Sequence, residues 1–426
     1  MSRTALIALL LCATATACSG SSGSSGTPSP EALAKGTAAP VPAGLPFEVT
    51  RIAQFKSPSA LAFLPDGRAL VTEKAGHLKL WRAGAAPLEV TGVPKVVSGG
   101  DSGQSGQGGL LDVALAPDFA VNNIVYITYS EPRRNGSSLA MARAKLSMVA
   151  APRLDGLEVI FRGGADGEGG QFGGVIAFAP DGKSLFLSSG ERQRFTPAQD
   201  PNQTLGKILH LTLDGKPWPG NPGAGRIGTP TVPVFDPPKN SAVARTLTGT
   251  AQKVDGTNLA PAATWSSGHR NPYGLAFDAS GNLWEIEMGP KGGDEVNLIL
   301  PGRNYGWPNV SNGDNYDGVP IPDHKPGDGY EAPKVFWNPS ISPAGLIVYS
   351  GEVFPQWKGS AFLGALSGTS LIRVALNGTS ASKADQWQLG LRIRDVVQSP
   401  DGGIWLLEDG DDEGGWMMRL DPKPKN

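Results

Sequence analysis

The sequence predicts an all-β fold, a six-bladed β-propeller with long loop insertions. One phrase recurs after Phe47: an apolar run, a turn resembling Pro-Asp-Gly, and a second strand with alternating apolar residues. A sixth unit without this turn precedes the last of the phrases, which begin at Leu61, Val113, Ile176, Leu275 and Val396. The chain is punctuated by 58 glycines and 37 prolines, and long amphipathic helical patterns are hard to find. Repetition of one small β-unit is typical of a propeller, whereas a β-sandwich does not repeat the same phrase.

The first 42 residues are predicted to export and anchor the chain. Residues 1–18 resemble a bacterial lipoprotein signal peptide, with a basic start, an apolar core and small residues before Cys18. Residues 19–42 are rich in Ser, Gly and Pro and predict a flexible linker, and residues 43–426 predict a single propeller domain. The alternative is ordinary secretion with cleavage near Ala17. We expect a chain lipid-anchored at Cys18 to the bacterial membrane, with its folded domain periplasmic or extracellular.

Charge and composition exclude several classes of function. A formal net charge of -2 leaves no electrostatic footprint for nucleic acid. After the signal segment no apolar run is long enough to span a bilayer. The four histidines show no zinc-binding spacing, and no cysteine follows Cys18. We therefore expect neither a zinc enzyme nor a disulfide in the folded part.

Two pairs of polar residues are candidates for binding an anion. Arg270 and Asn271 follow a Gly-His step and precede a proline, which places both at a constrained bend. Arg392 and Arg394 are two residues apart on a predicted strand, so both guanidinium groups lie on one face. Arginines that converge at one mouth of the central channel would clamp a multiply charged anion. The alternative for Arg392 and Arg394 is a solvated strand face with Asp395 and Asp401 as partners.

A calcium site is the other interpretation of these loops. Glu295 lies in a Gly-Gly-Asp-Glu turn, next to the carbonyl-rich segments GPKGG and GRNYG. Carboxylate and backbone oxygens from such turns are the ligands that calcium prefers. No EF-hand spacing is present, so the residues alone favour a hard cation without specifying its ligands.

Together these segments resemble the soluble quinoprotein sugar dehydrogenases, the glucose/sorbosone dehydrogenase family that uses pyrroloquinoline quinone (PQQ). The resemblance extends from Phe47 to Pro422 and rests on SSGHRNPYGLAFD, EMGPKGGDEVNLILPGRNYGW, GQGGLLDVALAPDF, NPSISPAGL and LRIRDVVQSPDG. It implies the propeller fold and PQQ- and calcium-dependent oxidation of an aldose sugar by hydride transfer to the quinone. The sugar, the electron acceptor and the oligomeric state do not follow from it.

The resemblance also implies roles for individual residues. Arg270 and Asn271 match the pair that contacts the quinone oxygens, and Arg392 and Arg394 match residues facing the PQQ carboxylates. Gln107 matches a glutamine that lines the site.

For calcium, the resemblance implies two sets of ligands. The carbonyls of Gly289 and Pro290 match ligands of the ion that polarises PQQ. Glu295 and the carbonyl of Tyr305 match a second, structural calcium site.

One position departs from the family pattern. Gln171 stands where the family carries the histidine that takes the proton from the sugar hydroxyl, and Val175 replaces an arginine. A glutamine cannot act as a general base. Glu168 or Asp166 in the same loop is the candidate replacement. The alternative function is therefore a non-catalytic propeller that binds a sugar, a quinone or a protein partner.

Overall fold

A computed structural model describes residues 44–98, 107–149, 151–164, 166–235, 249–410 and 414–424. Within these residues the chain forms six four-stranded antiparallel sheets, arranged as the blades of a propeller. The predicted all-β fold and the predicted count of six blades are therefore confirmed. The predicted signal peptide and linker (residues 1–42) lie outside the described residues, so the domain boundaries stay a prediction.

Each of the first five blades is built from strands that mostly follow one another along the chain. Blade 1 comprises β2 (Pro58–Phe63), β3 (Ala69–Glu73), β4 (His77–Trp81) and β5 (Leu88–Val90). Blade 2 comprises β6 (Leu110–Leu115), β7 (Ile124–Arg133), β8 (Gly136–Ser147) and β9 (Arg153–Arg162). Blade 3 comprises β10 (Gly173–Phe178), β11 (Ser184–Ser189), β12 (Lys207–Thr212) and β15 (Thr264–Ser267). Blade 4 comprises β16 (Pro272–Phe277), β17 (Leu283–Glu287), β19 (Asp294–Ile299) and β21 (Val335–Trp337). Blade 5 comprises β22 (Pro343–Val348), β23 (Ala361–Ala365), β24 (Ser370–Asn377) and β25 (Ser380–Gln388).

Blade 6 closes the ring with strands from both ends of the described chain. It comprises β26 (Ile393–Gln398), β27 (Ile404–Glu408), β28 (Gly415–Pro422) and β1 (Phe47–Phe55). Strand β1 pairs antiparallel with β28, with Phe47 opposite Pro422 and Phe55 opposite Gly415. This closure leaves the ring without a free gap between its first and last blades.

The remaining elements belong to the loops. Two small sheets pair β13 (Thr231–Val234) with β14 (Thr250–Lys253) and β18 (Lys291–Gly292) with β20 (Gly313–Asp314). The short helices are α1 (Phe119–Asn122) and α2 (Ala260–Ala263), with single 3-10 turns at Thr196–Gln199 and Pro355–Trp357. None of the described helices has the length and apolar character that crossing a membrane requires.

The recurring phrase forms the hairpin between the two inner strands of a blade. In blade 1 the Leu64 N–H donates to the Arg68 carbonyl at 2.7 Å, and the Gly67 N–H donates back to the Leu64 carbonyl at 3.0 Å. Gly67 has a φ of 85°, in the left-handed region that a residue with a side chain avoids. The predicted role of the Pro-Asp-Gly turn is therefore observed.

The hydrophobic core is a ring rather than a single centre. Among the described residues, six larger clusters of buried side chains each lie between two neighbouring blades. The cluster between blades 6 and 1, for example, joins Trp405 and Leu407 to Leu61 and Val71. Since each blade is covered on both faces, its inner strands are apolar almost throughout.

Two partly buried aspartates join neighbouring blades near the propeller axis. Asp112 Oδ2 accepts the Ile176 N–H of blade 3 at 2.8 Å, and Asp395 Oδ2 accepts the Leu61 N–H of blade 1 at 3.0 Å. Burial raises the pKa of Asp112 to about 6. Burial, with a smaller effect of the Asp112 charge, raises the pKa of Asp395 to about 8. Both carboxyl groups thus hold protons more tightly in the folded chain than in the unfolded chain.

Asp395 is expected to make the protein less stable as the pH rises. A carboxyl group with a raised folded pKa contributes fully below its unfolded pKa, near 3.8, and loses that contribution as the pH rises through about 8. Asp395→Asn removes this titratable group, but its amide leaves one backbone N–H without a good hydrogen-bond acceptor. We expect its melting temperature to lie below wild type at pH 5, with the gap narrowing towards pH 9. Asp181→Asn, at an exposed turn, is the control, and a constant gap for Asp395→Asn would contradict the assignment.

Candidate functional site

Arg270 lies in the connection between β15 and β16 and is almost completely buried. Its backbone N–H donates to Glu287 Oε2 at 2.6 Å. Its Nη1 donates to the carbonyl oxygens of Met288 at 2.9 Å and Gly289 at 2.5 Å, and its guanidinium carbon lies 5.2 Å from the centre of the Trp307 ring. These contacts fix the guanidinium, yet its buried Nε has no hydrogen-bond partner among the described residues. Because such a donor is costly to bury, the arrangement favours an oxygen ligand here.

Asn271 presents a second buried polar atom in the same place. Its Nδ2 has only the Met288 sulfur as a contact, at 3.7 Å, and its Oδ1 has no partner among the described residues. A Cβ atom built on Gly190 would lie 3.2 Å from Asn271 Oδ1 and 2.1 Å from the Gln171 carbonyl oxygen. Gly190 therefore lets the loop before β16 approach the loop before β10.

Gln107 and Gln171 meet directly. The Gln171 N–H donates to Gln107 Oε1 at 2.7 Å, and Gln171 Oε1 accepts the Gln193 N–H at 3.3 Å. Gln171 is buried and has a φ of 54°, so its backbone is in the left-handed region. The loops that precede β6, β10 and β16 thus converge, as expected for polar residues at corresponding strand ends of a propeller.

Arg192 holds the loop that carries Gln171, a role that the sequence analysis missed. Its fully buried guanidinium lies 3.8 Å from the centre of the Phe172 ring. It donates to four backbone carbonyl oxygens, those of Ser137, Gly167, Gly169 and Gly170. An arginine buried on carbonyl oxygens cannot be recognised from local sequence, because its acceptors lie some 20 to 55 residues away.

Glu191 is the second functional candidate that the sequence analysis missed. Its carboxyl group is buried, with Oε2 accepting the N–H groups of Arg194 and Phe195 and Oε1 without a partner among the described residues. Its own N–H donates to the Arg270 carbonyl at 2.9 Å. Burial raises the pKa of Glu191 to about 7, although the charge of Arg270 opposes the shift. The only sequence signal was its place directly after the strand of a recurring phrase.

The two carboxylates suggested as replacement bases are placed differently. Asp166 is buried and bonds weakly to Asn135, at 3.4 and 3.5 Å. Glu168 is exposed, and its backbone carbonyl accepts Arg194 Nη2 at 2.8 Å. Neither carboxylate has a described hydrogen bond to Gln171.

Arg392 and Arg394 share one carboxylate, that of Asp409. Arg392 Nη2 lies 2.8 Å from Asp409 Oδ2, and Arg394 Nη2 and Lys74 Nζ lie 2.7 and 3.0 Å from Oδ1. Burial alone would raise the pKa of Asp409, but Arg394 and Lys74 outweigh it and hold that pKa well below its ordinary value. Arg394 also lies 5.9 Å from the centre of the Tyr273 ring, two residues beyond Asn271. Both arginines are therefore oriented before any ligand binds.

The alternative partners considered for these arginines are wrong. Asp395 is turned towards the axis and bonds to Leu61, because a bulge between Ile393 and Asp395 changes the direction of its side chain. Asp401 lies in a turn and pairs with Arg419 at 3.1 Å. In the sequence, Asp409 belongs to a run of acidic residues at the end of β27. The run indicates a possible partner for the arginines but not which of its carboxylates pairs with them.

Gly289 and Pro290, the residues assigned to the calcium at PQQ, begin a tight loop. The Gly289 N–H donates to Asp294 Oδ1 at 2.8 Å, while its carbonyl accepts Arg270 Nη1. The Pro290 carbonyl faces Ser340 Oγ at 3.4 Å. The structure thus brings Gly289 to Arg270, whereas the Pro290 carbonyl points to a different neighbour.

A small cavity joins the other predicted residues. Arg270, Gly289, Glu287, Glu295 and Tyr305 all line it, and it has room for about one water-sized sphere. Burial raises the pKa of Glu295 well above its ordinary value, and the nearby Glu287 charge adds to the effect. Two buried carboxylates beside a space of this size suit a cation, so the residues present fit the calcium that the resemblance implies.

Comparisons with known proteins give matches over most of the chain. The family model for glucose/sorbosone dehydrogenases matches residues 55–232 and 250–419. The chain is 35% identical over 378 residues to the aldose sugar dehydrogenase of Escherichia coli (strain K12), covering 86% of this chain and 90% of the relative. The crystal structure of the soluble Escherichia coli aldose sugar dehydrogenase in the apo-form has a TM-score of 0.73 at 33% identity, covering 88% of this chain and 100% of that chain. The PQQ-bound form of aldose sugar dehydrogenase from Streptomyces coelicolor has a TM-score of 0.64 at 27% identity, covering 90% and 99%.

The family resemblance inferred from the sequence is thereby confirmed. The match includes both halves of the propeller and the loops that carry Gln107, Gln171 and Arg270. This chain belongs to the glucose/sorbosone dehydrogenase family and is an enzyme of the oxidoreductase class.

Proposed function

We propose that the protein oxidises the C1 hydroxyl of an aldose sugar to a lactone with bound PQQ and calcium. The observation that carries the proposal is the pair of buried, unpartnered polar atoms, Arg270 Nε and Asn271 Oδ1, where three loops converge. Polar atoms buried without partners are rare unless a ligand completes them. The Streptomyces coelicolor relative, whose structure contains PQQ, supports PQQ as that ligand.

The arginines would hold and polarise the bound group. When bound, PQQ supplies the two-electron acceptor and calcium the Lewis acid that polarises it. Arg270 and Asn271 would contact its quinone oxygens and stabilise negative charge there, while Arg392 and Arg394 would pair with its carboxylates. Gln107 would line the site and support Gln171. Asp409 keeps the two arginines in place, so little ordering is required on binding.

Oxidation also requires an acceptor for the sugar hydroxyl proton. Gln171 can form hydrogen bonds to the sugar but cannot accept the proton. We assign that role to Glu191, whose N–H bonds to the Arg270 carbonyl and whose Oε1 has no partner among the described residues. Its pKa of about 7 suits a general base at neutral pH. The proton reaches this buried carboxylate directly or through one bridging water. Asp166 and Glu168 are less suited, since Asp166 bonds to Asn135 and Glu168 is exposed, and neither has a described contact with Arg270.

Reconstitution tests the proposal. The purified protein is mixed with PQQ and calcium, PQQ binding is followed by its absorbance, and dye reduction is measured across a panel of aldoses. We expect binding and sugar-dependent reduction. Binding without reduction by any aldose would favour the non-catalytic alternative. The observation that supports this alternative is Gln171, which cannot act as a base. Absence of PQQ binding would overturn the proposal.

Calcium is proposed to stabilise the fold through Glu295 and the Tyr305 carbonyl, with Gly289 and Pro290 serving the ion at PQQ. A ligand that binds only the folded state raises the melting temperature by mass action. Adding calcium to chelator-treated protein is therefore expected to raise the melting temperature of wild type. The increase should be lost in Glu295→Gln and kept in Glu352→Gln, an exposed control. An equal increase in all three proteins would contradict the assignment.

We also propose that the mature chain is lipid-anchored at Cys18. The support is the signal-like segment that ends there and the linker that follows. Mass spectrometry of the native amino terminus is expected to show a diacylated or triacylated Cys18. An unmodified cysteine, or a mature chain that begins elsewhere, would refute the anchor.

A further inference from the structure

A second group of side chains of the types that ligate metals begins at the residue before Arg270. His269 lies two residues after the end of β15 and directly before Arg270, while Glu285 and Glu287 are both on β17. All three are buried, and one ligand atom from each lies within 4.8 Å of the other two. A nitrogen and two carboxylate oxygens are thus gathered in one buried place.

Around this group the hydrogen-bond acceptors outnumber the donors. Asn297 Nδ2 faces three carboxylates, Glu285 Oε2 at 3.1 Å, Glu287 Oε1 at 3.3 Å and Glu295 Oε2 at 3.1 Å. An amide NH₂ has only two hydrogens, so it cannot satisfy three acceptors fully. Glu285 Oε1 and Asn297 Oδ1 are buried and have no partner among the described residues. The group therefore has too many acceptors and lacks a cation or donor.

The imidazole of His269 is held in a defined orientation. Its Nε2 lies 2.8 Å from Ser266 Oγ, and its ring stacks on Tyr305 with centres 4.7 Å apart. Its Nδ1 therefore points at Glu287 Oε1, at 3.1 Å. A serine that bonds the other ring nitrogen is the kind of outer contact that orients a ligating histidine.

We propose that His269, Glu285 and Glu287 bind a structural transition-metal ion, zinc in the first place. A mixed set of one imidazole nitrogen and carboxylate oxygens suits zinc, whereas calcium prefers oxygen ligands alone. All three side chains are buried, which suits a site that serves stability rather than catalysis. The calcium assigned to Glu295 and Tyr305 is a neighbouring oxygen-only site, and Glu287 lines the cavity that adjoins it. The spacing of the histidines did not reveal this zinc site, because its other two ligands are glutamates of β17.

Metal content and melting temperature test the site without any sugar or PQQ. Full-length protein is incubated with zinc, desalted and analysed by plasma mass spectrometry. We expect about one zinc per chain in wild type, as for a closed structural site, and a rise in melting temperature. X-ray absorption at the zinc edge should show scattering from one imidazole. Glu285→Gln is expected to lose the zinc, and His269→Gln is the second variant in case the first fails to fold.

His210→Gln is the matched control. His210 is also buried and bonded to a serine, with Nε2 2.9 Å from Ser184 Oγ, but its ring stacks on Phe186 rather than facing carboxylates. It should keep its zinc. Zinc that remains in both Glu285→Gln and His269→Gln, or calcium as the only metal lost from Glu285→Gln, would overturn the proposal. These results do not depend on whether PQQ binds, so they are separate from the test of the proposed function.

Discussion

Replacing Glu191 with glutamine is expected to lower kcat for aldose oxidation by about a hundredfold or more, the usual value of a positioned general base. The substitution keeps the size of the side chain and the acceptor for the Arg194 and Phe195 N–H groups. It removes the group that titrates near pH 7. In wild type, kcat/KM should therefore rise with pH through about 7, because only ionised Glu191 accepts a proton. The variant should lack this rise while still binding PQQ.

Two further variants separate Glu191 from its neighbours. Glu168→Gln is the matched control, since this exposed carboxylate has no described contact with Gln171, and its kcat should stay at the wild-type value. Adding Gln171→His to Glu191→Gln should recover roughly tenfold in kcat, since an imidazole supplies a new base. Histidine tolerates the left-handed backbone found there. A Glu191→Gln protein with wild-type kcat and an unchanged pH profile would rule Glu191 out.

Replacing Asp409 with asparagine is expected to destabilise the fold by about 3 kcal/mol at neutral pH, the usual cost of removing one partner of a buried ion pair. The change leaves Arg394 and Lys74, both largely buried, without their shared carboxylate. Denaturant unfolding of both proteins measures the loss. Asp385→Asn is the control: it removes the partner of Arg373 in a more exposed pair and should cost less than about 1 kcal/mol.

The pH dependence gives a second measure of the same carboxylate. A group with a lowered folded pKa contributes stability above its unfolded pKa, here 3.8, and loses it as the pH falls through the folded pKa. The difference between wild type and Asp409→Asn should therefore be full at pH 7 and shrink below about pH 4. A difference that is constant with pH would show that Asp409 acts by packing alone.

The sequence was sufficient to predict the blades but not the way in which the ring closes. The recurring phrases mark the inner hairpins of five blades, because turn chemistry and alternation are local properties. The pairing of β1 with β28 is not local, and the pattern of neither strand predicts which strand it pairs with. The same limit applies to Asp112 and Asp395, whose blade-to-blade bonds depend on the register of neighbouring sheets.

In the site, residues whose role follows from their own loop were easier to find than buried charges. Arg270, Asn271 and Gln171 stand in segments dense in glycine and polar groups, where sites are usually built. Glu191 and Arg192 follow an apolar strand and would be expected at the surface, yet both are buried. Their burial is possible only because distant backbone groups satisfy them, and those contacts exist only after the blades have assembled.

Ring closure by β1 and β28 has a consequence for the order of folding. Strand β28 is synthesised after the other blade strands, so β1 stays unpaired until then, and Phe47 stays uncovered because its cluster belongs to blades 5 and 6. Contacts between such distant parts of a chain form slowly, since the loop that they close is very long. The blades can collapse early, but the domain reaches its final state only at the closing step. Until that step, β1 is therefore the segment most exposed to aggregation.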